Sequence, residues 1–459
     1  MAWLAVAQAA RAEPVTYSAG SLIVPMDLAL NGQDAGMFRA YGLVYELLRH
    51  EVPVDWIIDE QKAPNGNDFT LADGAGIGLA NLETTAALPL PRSFRGGPFV
   101  IAAANAAAAR PIIAAWQATV GDETMVHEVT AGSFTAPRFR ILRHAPSIAI
   151  LHDGNESIAF SNLNAAGIRD RAGNPWTYES PGVLFEADVA GPTDTGVADG
   201  ALFHGPGQAR YGFLVAMHYN DTVVTGEVVR EVRSWLAASP LTHAFMQCAA
   251  AEVFENDAAG RFLTTDGLQD DGFAAYNPTN HFPGDPHSQI DGLLEVDSGW
   301  VDSMGLKPGS TFRPGVKVLF NDHLAGPTEL ITLLLGNLDG DPTKGLVTYL
   351  AGHEFSVGLP VSTNALTNGV RLFLNALMAS GAATEQAPVI TNLVKTNCGF
   401  KFDVSGSIGS VYQLQSCEDL QSWTDWQDVI NTTGTVPIED KTTPEGGARF
   451  YRARLKPID

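Results

Sequence analysis

Cys248 stands where an apolar run, Leu241–Gln247, gives way to the helical run Ala249-Ala-Ala-Glu-Val-Phe-Glu255. A thiol at the start of a helix has its thiolate stabilised by unpaired amide hydrogens and by the positive end of the helix dipole. A strand-to-helix turn of this kind makes a nucleophile. His353 follows a second apolar run, Gly345–Ala351, so it is expected at the matching strand end, where it could act as general base to the thiol. His243 is a poorer partner, because five residues of extended chain point it to the face opposite Cys248. In a hydrolytic site Cys248 would attack a carbonyl, His353 would relay the proton, and the amides of Cys248 and Ala249 would hold the oxyanion. The alternative is a packed thiol, since free cysteine is among the most buried residue types.

Other polar residues fall at the carboxyl ends of apolar runs, where ligands of open parallel sheets bind. They are Asp27, Asp59, His152 and Asp153, and of these Asp27, His152 and Asp153 are candidates for substrate binding. The stretch His152-Asp-Gly-Asn-Glu156 reads equally as a helix cap with its first turn. A separate loop, Asn280-His-Phe-Pro-Gly-Asp-Pro-His287, offers His281, Asp285 and His287 to zinc or another divalent metal, although no second cluster completes the set. Asn337-Leu-Asp-Gly-Asp341 begins like a calcium loop but lacks the later glutamate, and a tight turn between strands accounts for it.

The elements that must position these residues follow a strand-helix rhythm from about residue 20 to 380. Ser21–Met26 is a short apolar run, Met37–His50 has one apolar helical face, and Pro53–Ile58 is the next strand. Ser147–Leu151 precedes a helix from about Asn155 to Ala166, with Gly167 as its left-handed cap. Thr225 caps a helix bearing Val228, Val232 and Trp235, which Ser239-Pro240 ends. Ile331–Leu335 turns back into Gly345–Ala351, and a helix with Val370, Phe373 and Leu377 aligned follows, capped by Ser362 or Thr363. This rhythm predicts an α/β fold with a parallel sheet and helices on both faces. Residues 256–325, rich in Gly, Pro, Asn and Asp, form a large loop-rich insertion.

Ser380–Pro388 reads as a linker over 381–388, after which short strands at Gly399–Val404, Ser410–Gln415 and Arg449–Arg454 predict a small all-β sandwich domain, residues 389–459. Cys398 and Cys417 are centred on Gly406-Ser-Ile-Gly409; if that is a hairpin turn they face each other, as a disulfide or as two buried thiols.

Composition narrows the function classes. The 459 residues are 45% hydrophobic, enough for two or three domains with full cores. The net charge of −23 repels nucleic acid and anionic lipid. Membrane insertion is not expected, since even the Ala-rich run Ile101–Trp116 is broken by Asn105 and Arg110. A short apolar run before Ala10-Arg-Ala12 has the small-x-small form of a signal-peptide end, here without a basic leader, and predicts a signal peptide over residues 1–13 and a secreted, periplasmic or cell-surface protein.

The Cys at a strand-to-helix elbow, the late segment Gly345-Leu-Val-Thr-Tyr-Leu-Ala-Gly-His353 and Asn368-Gly-Val-Arg-Leu-Phe-Leu-Asn375 together resemble the class I glutamine amidotransferase superfamily, with the trehalose-utilisation-like branch the nearest in pattern. The resemblance lies chiefly in residues 344–378 and implies a flavodoxin-like sheet over residues 14–380, with Cys248 as nucleophile and His353 at the histidine position. It implies an acid two residues after the histidine; Phe355 stands there, and Glu354 is the available carboxylate. Met246 and Ala250 replace the glycines that flank the family's cysteine. The C-terminal segment Gln415–Trp423, with Trp426 and Ala448–Ala453, resembles small β modules appended to secreted bacterial proteins. The expected function is therefore a secreted hydrolase acting on an extracellular glycan, glycoconjugate or related small molecule. The alternatives are a non-catalytic cell-surface or carbohydrate-binding protein and a metal-dependent hydrolase built on the His281 loop.

Overall fold

The computed structural model describes residues 12–455 apart from 121–122, 193–197, 206, 221, 223, 273–275, 298–300, 323, 325, 385–387, 397–398, 408–409, 419, 432 and 442–448. The chain is mixed α/β. Six strands position the site: β1 (Ile148–His152), β2 (Val183–Phe185), β3 (Phe213–Ala216), β4 (His243–Gln247), β5 (Ile331–Asn337) and β6 (Leu346–Leu350). They lie in the order β2-β1-β3-β4-β6-β5. The first five of that order are parallel neighbours, and β5 pairs antiparallel with β6.

Both faces of this sheet are covered, so its strands are apolar throughout rather than alternating with polar residues. Ile148, Ile150, Phe213, Val215, Phe245 and Leu350 face one core, shared with helices Glu156–Ala166 and Thr367–Ala379. Ala149, Leu151, Leu214, Ala216, Ala244, Met246, Val347 and Tyr349 face the other, shared with helices Thr225–Ala238 and Ala249–Asn256. This two-residue alternation puts Cys248 with the second core and His243, as its spacing requires, with the first, against Phe213. Gly167, at φ 76°, caps Glu156–Ala166 as expected. Ser362 and Thr363 do not cap the last helix; they lie in a 3-10 turn, and the helix begins at Thr367, whose hydroxyl donates to the Asn364 carbonyl.

Short strands from the loop-rich insertion, among them Lys317–Asn321 and Met304–Leu306, extend the sheet antiparallel beyond β5. The chain before residue 143 departs from expectation. Leu22–Val24, helix Met37–Arg49 and Val54–Ile57 form where the pattern puts them, but the two strands belong to a separate seven-stranded antiparallel sheet. Phe99–Ile101 lies between the two strands and runs against both. A strand-helix-strand pattern fixes the relative direction of its strands and leaves open whether a later segment enters the gap.

Helix Thr367–Ala379 is buried along its whole length, which explains its polar residues. Arg371 donates to the carbonyls of Met26 and Gly96, Asn375 accepts from the Tyr41 hydroxyl, and Asn368 donates to the Leu293 carbonyl. Each satisfies a buried backbone or side-chain group across the junction between the two sheets.

The expected linker is shorter than 381–388. Ala382 and Ala383 are buried, and their backbone bonds to Leu241 and Arg143. Residues 389–455 then form two three-stranded antiparallel sheets around Phe402, Val404, Tyr412 and Leu414. Cys417 is a buried free thiol and not half of a disulfide; its expected partner, Cys398, lies outside the described residues. The signal-peptide residues 1–11 also lie outside them, whereas Glu13 already starts a strand. Among the described residues no helix is long and apolar enough to cross a membrane.

Candidate functional site

Four parallel strands end side by side, and each delivers one residue to the same place. Asp153 follows β1, His218 lies two residues past β3, Cys248 directly follows β4, and His353 lies three past β6. The Cys248 amide donates to the Leu350 carbonyl at 2.9 Å, extending the β4–β6 ladder by one residue. The chain then turns abruptly with Cys248 at φ 54°, ψ −133°, and helix Ala249–Asn256 begins. A side chain at that φ is crowded by its own backbone, a strain of roughly 1–3 kcal/mol that sites of function recurrently retain.

The Cys248 thiol is fully buried, with its Sγ 3.1 Å from His218 Nδ1 and 3.4 Å from the donating Val301 amide. His353 Nδ1 is 3.1 Å from the same His218 nitrogen. The histidine against the sulfur is thus His218, and His353 stands behind it. Burial, and then the neighbouring His353, hold the His218 imidazole below its ordinary pKa, so at neutral pH it is a base able to take a proton. Asp153 fixes the His218 loop from behind by accepting the amides of Met217 at 3.0 Å and His218 at 3.4 Å. Burial pushes its carboxyl up to about 6 against those amide bonds. Gln247 fixes the other loop, donating from Nε2 to the His353 carbonyl at 2.6 Å.

Several expectations change. The Cys248 amide is engaged in the ladder and does not serve an oxyanion, which leaves the first-turn amides Ala249 and Ala250, without carbonyl partners in their own helix. Glu354 is exposed, and its amide donates to Asp297 Oδ2; it does not complete a triad. Asp27 is not brought to the cluster. It follows a strand of the antiparallel sheet and is buried against Arg92 at 2.8 Å. His152 reaches the same sheet edge but turns toward Glu156 and stacks on Phe185.

The side chains of the His281 loop are not gathered as a metal-ligand group among the described residues. His281 Nε2 bonds to Asn321, while the two Asp285 oxygens are taken by His287 and by the Lys317 ammonium. A lysine cation held at 2.8 Å occupies the position where a metal would have to approach that carboxylate. Against the cost of burial, His287 and Lys317 hold Asp285 below the usual carboxylate range.

A different set has metal-binding character. The donor atoms of His218, Cys248 and His353 all lie within 4.8 Å of one another. Tetrahedral zinc, at about 2.0–2.3 Å from each donor, would set nitrogen and sulfur ligands roughly 3.3–3.7 Å apart, close to what the two 3.1 Å contacts provide. Cys, His and His are a donor set that favours zinc over magnesium or calcium.

Sequence reasoning missed His218. The signal was present: Phe213-Leu-Val-Ala-Met-His218 is an apolar run ending in a polar residue, the same cue that selected Cys248 and His353.

No family model matches the chain, and no curated protein matches it. Two solved structures are similar in part: Gan42B, a GH42 β-galactosidase, at 9% identity and TM-score 0.27, and a catalytic mutant of Gan42B from G. stearothermophilus at 10% and 0.29. The alignments cover 76% of this chain but 43% and 44% of those chains, so this protein spans less than half the length of either.

Proposed function

We propose that this chain is a secreted thiol hydrolase of the class I amidotransferase-like superfamily, acting on an acyl linkage in an extracellular glycan or glycoconjugate. The observation that carries the reading is the 3.1 Å approach of His218 Nδ1 to Cys248 Sγ at a backbone turn strained in the manner of a nucleophile. The strand order β2-β1-β3-β4-β6 is compatible with a flavodoxin-like sheet whose ligand site lies at the carboxyl ends, and the six C-terminal strands are compatible with an appended β-sandwich. Exposed Tyr178 and Phe185 flank His152 at the same edge and offer an aromatic ledge to the apolar face of a sugar.

In this mechanism the thiol proton passes to His218 Nδ1 as the sulfur attacks the carbonyl carbon. The carbonyl electron pair moves to oxygen, where the Ala249 amide stabilises it. Collapse breaks the bond to the amine or alcohol, which takes the proton from His218. Water then hydrolyses the thioester. His353 Nδ1, beside the same nitrogen, accepts from the transient imidazolium. Because the thiol is fully buried, substrate reaches it only when the Val301 backbone moves off the sulfur.

The test is iodoacetamide labelling of Cys248 in the native protein across pH, followed by peptide mapping, with His218→Ala and His353→Ala in parallel. Labelling with an apparent pKa below the ~8.5 of a free thiol, slowed at least tenfold in His218→Ala, is the expected result. Labelling only on unfolding would refute it.

A metal-dependent hydrolase is the second reading, favoured by the convergence of the three donor atoms. One equivalent of zinc retained through dialysis and lost in Cys248→Ser would place it first.

A further inference from the structure

At the opposite end of the parallel strands lies a cavity of about 610 Å³, lined by Ser147 and Ile148 at the start of β1, by Gly182 before β2, and by Arg210 and Tyr211 before β3. Its distance from Cys248 along the strands is on the order of 20 Å. It is therefore separate from the site above and outside the carboxyl-end rule that governs such sheets.

The lining is basic in a strongly acidic protein. Arg49, Arg169, Arg171 and Arg210 all border it. The carboxylates there are Asp170 and Asp188. Asp170 is already engaged, accepting from the Asn174 amide at 2.8 Å and the Ser180 hydroxyl at 2.7 Å, and Asp188 is exposed. Among the described residues exposed Arg49 pairs only with the half-buried Glu46, a contact open to water on the arginine side and screened by it. Arg169 and Arg210 have no ion-pair partner among the described residues, and Arg169 lies close enough to Arg39 to disfavour its charge.

Two side chains of the lining carry a buried N–H group with no acceptor among the described residues: the indole Nε1 of Trp176, a residue 4% exposed, and Nε of Arg210. A buried donor without a partner costs roughly 1–3 kcal/mol, and here both sit beside the same cluster of cations. Arg210 lies over the Tyr211 ring at 5.5 Å, and Arg210 and Arg171 both act on the Tyr211 hydroxyl against the effect of its burial. Positive charge thus converges on one cavity whose remaining walls, Ile148, Leu184 and the Trp176 ring, are apolar. The size suits a small organic molecule.

We propose that this cavity is a second binding site, for a small molecule that carries an oxyanion group, phosphate, sulfate or carboxylate, held by Arg169 and Arg210. The test uses the full chain with inorganic phosphate, sulfate and acetate, each compared with chloride at equal ionic strength, by isothermal calorimetry and thermal shift. The expected result is saturable heat and a thermal shift above the chloride baseline for at least one anion, with affinity at least tenfold weaker in Arg169→Gln/Arg210→Gln. Which anion binds separates a tetrahedral from a planar ligand. If the double variant does not fold, Arg169→Gln alone gives the same readout, because that side chain makes no hydrogen bond or ion pair with the described residues. Absence of saturable heat for all three anions would overturn the proposal, as would equal heats in native and variant protein; the second outcome would mark nonspecific anion effects only.

Discussion

Replacing Cys248 by glycine and, separately, by alanine isolates the strain at the turn. Both substitutions delete the buried sulfur and its contact with His218, so those losses cancel in the comparison. In an ordinary strand or helix glycine is about 0.5–1 kcal/mol worse than alanine, because it loses more freedom on folding. At φ 54°, ψ −133° alanine retains a strain of roughly 1–3 kcal/mol that glycine does not carry. Cys248→Gly should therefore be more stable than Cys248→Ala by about 1 kcal/mol, within the roughly 0–2.5 kcal/mol that the two ranges span, a reversal of the usual order. In thermal unfolding this amounts to roughly 1–4 °C for the transition of the α/β part. Ala244→Gly on β4, fully buried in regular strand, is the control and should lower the midpoint. Calorimetric midpoints with glycine at or below alanine at position 248 would refute the strained elbow and weaken the nucleophile argument built on it.

Acid should destabilise the fold through its buried histidines. Burial, and then the Arg92 charge, hold His127 at about 4, below the ~6.5 of the unfolded chain. Its contribution is fully present above pH 6.5 and is lost as the pH falls through 4, at most about 3 kcal/mol, because the unfolded state binds the proton first. Urea midpoints from pH 7 to 4 should fall less steeply in His127→Gln; identical slopes would exclude His127 as a source. The buried pair Lys62–Asp68, at 2.7 Å with side chains 5% and 0% exposed, also bonds Gln289 of the insertion. Lys62→Met should cost about 3–5 kcal/mol by leaving the carboxylate without its cation, and adding Asp68→Asn should cost less than the sum of the single changes. Additive losses in denaturant titrations would show that the two groups act independently.

Local chemistry was legible where one segment decides the outcome. The run Leu241–Gln247 followed by a helical pattern needs no partner to announce a strand-to-helix turn at Cys248, and Gly167 ends its helix because only a residue tolerant of positive φ closes that turn. The faces of β4 followed from two-residue alternation, which separated His243 from Cys248 before any neighbour was known. Short alternating runs after residue 388 likewise marked strands that form.

Tertiary structure decided what depends on segments far apart in the chain. Phe99–Ile101 enters between Leu22–Val24 and Val54–Ile57, a pairing between distant segments, and the strand before Asp27 belongs to this separate sheet and not to the one that carries Cys248. The metal character expected of His281, Asp285 and His287 meets a competitor that sequence spacing did not reveal, the Lys317 ammonium, 32 residues on, which pairs with the Asp285 carboxylate. Lateral order, with β3 and β6 on either side of β4, brings both His218 and His353 beside Cys248, and the loop after β3 is the one that sets its imidazole 3.1 Å from the sulfur. Sequence periodicity reports the direction and face of one element, while the neighbours of that element are chosen by packing across the whole sheet.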